Sequence, residues 1–321
     1  MAEGPSIVLL RERAGVFVGK TIRRVEGDAP IDTARLVDQR IVALRTFGKH
    51  FLVELAGFTL RVHLLMLGSY CIDERKDKPI RLGLGFAGGR EINFYSCSVK
   101  FLEEPLDDLY DWRADVLSDR WDAALARKKL RAMPEALVCD ALLDQTVFAG
   151  VGNVIKNEVL FRIRVHPLAT VGSLPAAKLR ELVAEARGFT FEFYAWKKAD
   201  VDGTGPVWRG DTLASHWLVH DKKTCPRCDL PLIKAYTGAL DRRSFWCERC
   251  QPLDAAAVST GARPKRTRPT PARGRSPRPT RARAGRRRRP AGARPCSRSR
   301  AGGRCAGRRR AASGCGGSPR R

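Results

Sequence analysis

The chain has 321 residues, 43% of them hydrophobic and 29% charged, which is enough for two domains with cores of their own. Its formal charge of +26 is unevenly spread: residues 252–321 hold 22 Lys/Arg against a single acid, Asp254, leaving 38 Lys/Arg against 33 Asp/Glu for residues 1–251. The body is only mildly basic, so a nucleic-acid role has to be argued from it separately. No run reaches the roughly 18 apolar residues of a membrane helix. Glu3 stands where a secretory signal would be basic, so export is not expected.

In chain order, residues 6–15 have helical spacing through Ile7 and Leu10. From about residue 16 to 101 the sequence is strand-like, with short segments at 40–44, 50–55, 58–63 and 91–95 punctuated by Gly48, Gly57, Gly68 and Gly88-Gly89. This predicts an antiparallel sandwich. Past Asp107 the period becomes helical, predicting helices over 121–130, 136–148, 153–163 and 175–194, with Pro134, Pro167, Gly150 and Gly152 as punctuation. Residues 200–211 have loop composition. From Pro252 onward Ala, Arg, Gly, Pro and Ser dominate and no hydrophobic period survives, which predicts a disordered basic tail. The resulting division is 1–113 for the sandwich domain, 114–215 for the helical domain, 216–251 for a small cysteine module and 252–321 for the tail.

Of ten cysteines, Cys71, Cys97 and Cys139 lie among apolar neighbours and are expected to pack. Four stand as Cys225-x2-Cys228 and Cys247-x2-Cys250, separated by eighteen residues. Two thiolate pairs joined by a hairpin-length connection can close a tetrahedral site, and four thiolates leave no open position, so one structural Zn2+ is expected. Lys234, Arg242 and Arg243 lie between the pairs and are expected to offer cations to phosphate. Ala149-Gly-Val-Gly152-Asn153 joins two predicted helices; it reads either as an ordinary turn or as a helix N-terminus whose outward amides bind phosphate.

Four separated segments then match a known family. They are Ala2-Glu3-Gly4-Pro5; Gly48-Lys49; Leu142-Leu-Asp-Gln-x-x-Phe-Ala-Gly-Val-Gly-Asn153 with Glu158, Leu160 and Phe161; and Arg242-x4-Cys247-x2-Cys250-Gln251. In this order, across residues 1–251, the chain resembles the formamidopyrimidine-DNA glycosylase and endonuclease VIII family of bifunctional base-excision enzymes. The resemblance implies an α+β fold: a two-sheet sandwich, a helical domain with a helix-two-turns-helix element and a zinc-finger hairpin, gripping damaged double-stranded DNA. It implies a DNA glycosylase and AP lyase, monomeric, in the bacterial cytoplasm with the nucleoid. It carries over the roles of amine nucleophile to Ala2, acid-base group to Glu3 and phosphate-contacting cation to Lys49, and matches Asn153 and Arg242 to the phosphate-gripping positions.

The chemistry of the residues agrees with that implication. An α-amine with a pKa of about 7.7–8.0 is roughly 10% unprotonated at pH 7, against about 0.04% for a lysine near 10.4, so the terminal amine is the more available nucleophile. Read without the family, Glu3 is a solvated carboxylate and Lys49 a strand-end cation. His63-Leu-Leu-Met-Leu-Gly68 resembles the family segment that fills the gap left by an extruded base, making Leu65, Met66 and Leu67 wedge candidates; the plainer reading is core packing on a strand. The family usually has Pro where this chain has Ala2 and a second Glu at Ser6. Ser98-Val99-Lys100 replaces the Arg wedge of the formamidopyrimidine branch, which points toward the endonuclease VIII branch and oxidised pyrimidines. A binder of abasic or kinked DNA with weak catalysis is the alternative.

Overall fold

The computed structural model describes residues 2–202 and 213–253. The readings of residues 254–321 as a tail and of 203–211 as a loop lie outside the described residues.

The first helix, α1 (Gly4–Ala14), begins two residues earlier than its periodicity predicts because Pro5 occupies its first turn, where a missing N–H costs nothing. Ile7, Leu10 and Ala14 are buried against the sandwich that follows. One four-stranded antiparallel sheet has the order β1 (Arg24–Glu26), β6 (Leu82–Gly85), β7 (Glu91–Tyr95), β5 (Ser69–Ile72). The other runs β2 (Ala43–Phe47), β3 (His50–Glu54), β4 (Thr59–His63), β8 (Ser98–Leu102). Alternating residues such as Phe51, Val53, Leu60, Val62, Ile92 and Phe94 meet between the sheets as one apolar cluster. The strand expected at 40–44 starts only at Ala43, because Arg40 and Ile41 instead bridge back to the chain near Lys20.

After the one-turn helix α2 (Leu106–Leu109), the helical region contains α3 (Ala123–Arg131), α4 (Val138–Ala141), α5 (Asn153–Arg162) and α6 (Ala176–Asp202). The helix expected over 136–148 is a correction: only α4 is helical, and tight turns continue to Phe148. Asp144 accepts hydrogen bonds from its neighbour Thr146 (backbone N 2.8 Å, Oγ1 2.7 Å), and Gln145 Nε2 donates to the carbonyls of Leu143 and Val151. These local bonds compete with the helical ladder. α6 instead outruns its prediction and takes in residues 200–202.

The hairpin of β9 (Ile233–Thr237) and β10 (Arg242–Trp246) closes the described chain. It docks on α5 through Phe161, Val219 and Phe245, while Leu253 packs on the helical core. Cys97 and Cys139 are buried and Cys71 half-buried, and burial pushes the thiols of the first two up to about 11. Among the described residues no helix is long and apolar enough to cross a membrane.

Candidate active site and nucleic-acid interface

One cleft of about 680 Å³ is walled by elements far apart in sequence, among them the N-terminal segment, the β2–β3 turn, the loop after β4, the start of α5 and the β9–β10 hairpin. Ala2, Glu3, Lys49, Leu65, Met66, Asn153 and Arg242 all line it. Of the expected site residues outside the cysteine module, only Leu67 is absent from the wall, and it is the most exposed of the three wedge candidates at 84%.

Backbone contacts bring these elements together. Gly4 N donates to Gly150 O (2.9 Å), and Gly48 N donates to the buried Asp115 carboxylate (2.9 Å). Gly150 has φ +101°, a conformation side chains rarely adopt, and it lies against Gly4 and Gly48. A Cβ on Gly152 would overlap the Glu3 carboxylate. The two glycines of the 149–153 motif therefore serve close approach by the N-terminal segment.

Glu3 is where the structure most alters the sequence reading. It is 1% exposed, and its carboxylate accepts from Val154 N (2.8 Å) and Ile155 N (3.3 Å), in the first turn of α5. The N-cap of α5 is Gly152, which has no side chain to offer, so the cap comes from a residue about 150 positions away. The expectation that this helix end presents outward amides to phosphate is corrected: Glu3 takes two of them. Burial raises the Glu3 pKa above the ordinary carboxylate value, against the lowering effects of Lys49 and the two N–H groups. Burial lowers the Lys49 pKa, with Glu3 opposing and Arg242 adding to the effect. The pair thus sits closer to its neutral forms than either residue would in water.

The core-packing reading of 65–67 is corrected as well. The chain turns after β4, with Gly68 N bonded to Leu64 O at 2.8 Å; Leu64 is buried while Leu65, Met66 and Leu67 project outward. Asn153 Nδ2 donates to Arg243 O at 2.9 Å, and its buried Oδ1 has no partner among the described residues. Arg242 and Arg243 line the cleft, but Lys234 does not; its Nζ lies 4.0 Å from Asp221 and 5.5 Å from the Phe245 ring centroid.

Sequence reasoning missed His50 and His63, which face each other across β3 and β4 with ring centroids 5.3 Å apart and also line the cleft. Burial lowers both pKa values, His50 to about 3, so His50 is a neutral imidazole at ordinary pH. It also missed the supports beneath α5. Glu158, wholly buried, accepts from the N–H groups of Leu218, Val219 and His220 at 2.8–3.0 Å. Lys156, also wholly buried, donates to Ser244 Oγ (2.8 Å) and Arg243 O (3.2 Å), and burial lowers its pKa to about 8. The visible signal was the placing of Lys156 and Glu158 among the apolar residues Val154, Ile155, Val159, Leu160 and Phe161 of one helix.

The Sγ atoms of Cys225, Cys228, Cys247 and Cys250 lie within 4.8 Å of one another, with close separations of 3.5–3.7 Å. These are too long for disulfides, and the cluster can hold a metal ion. Gln251 ties it to the helical region, accepting from Cys247 N and donating to Val165 O.

A sandwich and a helical body meeting at such a cleft is the fold of known DNA glycosylases. A viral DNA glycosylase superposes with a TM-score of 0.66 at 20% identity, covering 78% of this chain and all of that one. The Lactococcus lactis formamidopyrimidine-DNA glycosylase, solved with DNA containing an AP site, gives 0.65 at 22% identity, with the same coverage. The formamidopyrimidine-DNA glycosylase N-terminal domain matches residues 1–97, and the H2TH domain of the same enzyme matches 114–189. The chain belongs to the formamidopyrimidine-DNA glycosylase and endonuclease VIII family. Among its relatives, "Probable endonuclease 8 2" of Streptomyces coelicolor is 28% identical over 285 residues, covering 83% of this chain and 100% of that protein. Human "Endonuclease 8-like 2" is 32% identical over 213 residues, 61% of this chain and 58% of the relative. The chain spans only 36% of mouse "Endonuclease 8-like 3", at 28% identity.

Proposed function

We propose that the chain is a base-excision DNA glycosylase with AP lyase activity, acting on oxidised bases, with pyrimidines preferred, in double-stranded DNA. The observation that carries this reading is the convergence of Ala2, Glu3 and Lys49 in one cleft with the exposed Leu65–Met66 loop and Arg242. Once Met1 is removed, the Ala2 amine attacks C1′ of the damaged nucleotide and the base departs. The resulting imine acidifies the C2′ proton, and its loss expels the 3′ phosphate. Glu3, with its raised pKa, carries protons between these steps, and Lys49 stabilises phosphate charge. Leu65, Met66 and Leu67 occupy the stack vacated by the extruded base. Asn153 and Arg242 contact backbone phosphate on either side.

The four cysteines hold one structural Zn2+. Tetrahedral Zn–S bonds of about 2.3 Å require sulfur separations of about 3.8 Å, close to the 3.5–3.7 Å observed. The protein works as a monomer in the bacterial cytoplasm with the nucleoid, and the basic residues after 252 add sequence-independent attraction to DNA.

Borohydride reduction of the protein mixed with abasic DNA tests the reading. A covalent adduct mapping to the Ala2 amine is expected, and acetylating that terminus should abolish it. An adduct at a lysine overturns the terminal-amine mechanism. No adduct from folded, zinc-loaded, Met-processed protein leaves the binder of abasic or kinked DNA, a reading favoured by Ala2 standing where the family usually has Pro.

A further inference from the structure

The cleft wall formed by β9 and β10 lies beyond both family matches, which end at residue 189. On it, Tyr236 and Arg243 stand directly opposite each other. Arg243 Nη2 donates to the Tyr236 hydroxyl oxygen at 3.1 Å, and Arg243 Cζ lies 5.5 Å from the ring centroid. Both line the cleft, and Tyr236 is 43% exposed. Among the described residues no carboxylate pairs with Arg243. The carboxylates of Asp221 and Asp241 face the same cleft, the first within 4.0 Å of Lys234 Nζ.

The backbone under this pair is unusually constrained. The Arg243 carbonyl accepts from three side chains of α5: Asn153 Nδ2 at 2.9 Å, Lys156 Nζ at 3.2 Å and Asn157 Nδ2 at 3.3 Å. The next residue, Ser244, binds Lys156 through its hydroxyl. A surface arginine loses side-chain entropy when it orders on a ligand. Here the main chain is already locked to α5, and the phenol fixes the guanidinium.

Building on the DNA-binding reading above, we infer that Tyr236 and Arg243 form a second phosphate clamp beside Arg242, positioning the bound strand. Because the phenol oxygen accepts from Arg243, its own proton is free to turn toward the cleft. The remaining guanidinium N–H groups lie alongside it, giving a fork of donors suited to the oxygens of one phosphodiester. Arg243 supplies charge and geometry, and Tyr236 supplies aim and one further hydrogen bond.

The test measures equilibrium binding of the full, zinc-loaded chain to a duplex containing a tetrahydrofuran abasic-site analogue, across salt concentrations. Arg243→Ala should weaken binding roughly tenfold and reduce the log–log salt slope by about 0.9, the signature of one lost phosphate contact. Tyr236→Phe, which removes only a surface hydroxyl, should weaken binding several-fold and leave the slope unchanged. Replacing single phosphates by methylphosphonate should reveal one position whose neutralisation weakens the unsubstituted protein but not Arg243→Ala. Unchanged affinity and slope in both variants, or equal sensitivity to every methylphosphonate, overturns the clamp. Failure of the unsubstituted protein to bind the duplex at all would instead overturn the DNA-binding reading.

Discussion

The two interiors of this molecule are built on different principles. Between the sheets, the core is a set of alternating apolar side chains, and its attraction is non-directional. Around α5, the helix buries Asn153, Lys156, Asn157 and Glu158 together, and almost every bond they make reaches another segment. The sandwich interior tolerates any filling of suitable volume. The α5 interior instead specifies position, because each buried polar group must meet a particular partner. Two walls of the cleft, the N-terminal segment through Glu3 and the β9–β10 hairpin through the Arg243 carbonyl, are fixed by the second kind of interior.

Three perturbations separate the two regions. The largest effect is expected from removal of the proposed zinc. Structural zinc contributes about 10–16 kcal/mol of apparent binding energy in small cysteine modules, and the hairpin's own apolar cluster is small. Chelation should unfold residues 225–250, seen as a change in Trp246 fluorescence and loss of hydrogen-exchange protection there, while β3, β4 and β7 stay protected. Simultaneous loss of protection in the sandwich would show that the regions are one cooperative unit.

Next in size is Glu158→Ala, which leaves the N–H groups of Leu218, Val219 and His220 without their acceptor and should destabilise by roughly 3–5 kcal/mol. Leu60→Ala, in the sandwich core, should cause a comparable loss of about 2–5 kcal/mol. The comparison lies in rescue: Leu60→Met should recover most of the stability, whereas for Glu158 only Gln, which keeps an acceptor, should recover part. Denaturant unfolding of the four variants decides it.

The smallest effect concerns Lys156. Its folded-state pKa of about 8 lies below the ordinary 10.5, so between these values the unfolded chain binds more protons and stability rises with pH. Below about pH 8 the ammonium is protonated in both states and this contribution to the slope vanishes. Lys156→Met should flatten the rise between pH 8 and 10.5 relative to the unsubstituted protein, measured as the difference between their stability curves.

What the sequence revealed follows the same division. Strands β3, β4 and β7 and helix α5 were legible within a residue or so, because a period of 2 or 3.6 is a local property. The four-cysteine cluster was legible from spacing, and the meeting of Ala2, Glu3 and Lys49 in one cleft from resemblance. The Gly48–Asp115 bond, the reach of Glu3 to α5 and the three contacts on Glu158 join residues 60–152 positions apart, and no local pattern encodes them. The 136–148 error has the opposite cause, since Asp144 and Gln145 bond to nearby groups and divert a helical pattern into turns.

The main-chain fastening of the N-terminal segment has a consequence for variation at residue 2. Gly4 N on Gly150 O, with the Glu3 carboxylate on the first turn of α5, sets the path of the chain beside Ala2 without using the Ala2 side chain. These fastenings belong to residues 3 and 4, while Ala2 itself packs on the sandwich core. On the proposed mechanism an alanine at this seat offers a primary amine, where a proline would offer a secondary one. In the proposed mechanism, the segment that carries the reacting amine is thus held in place by its two following residues.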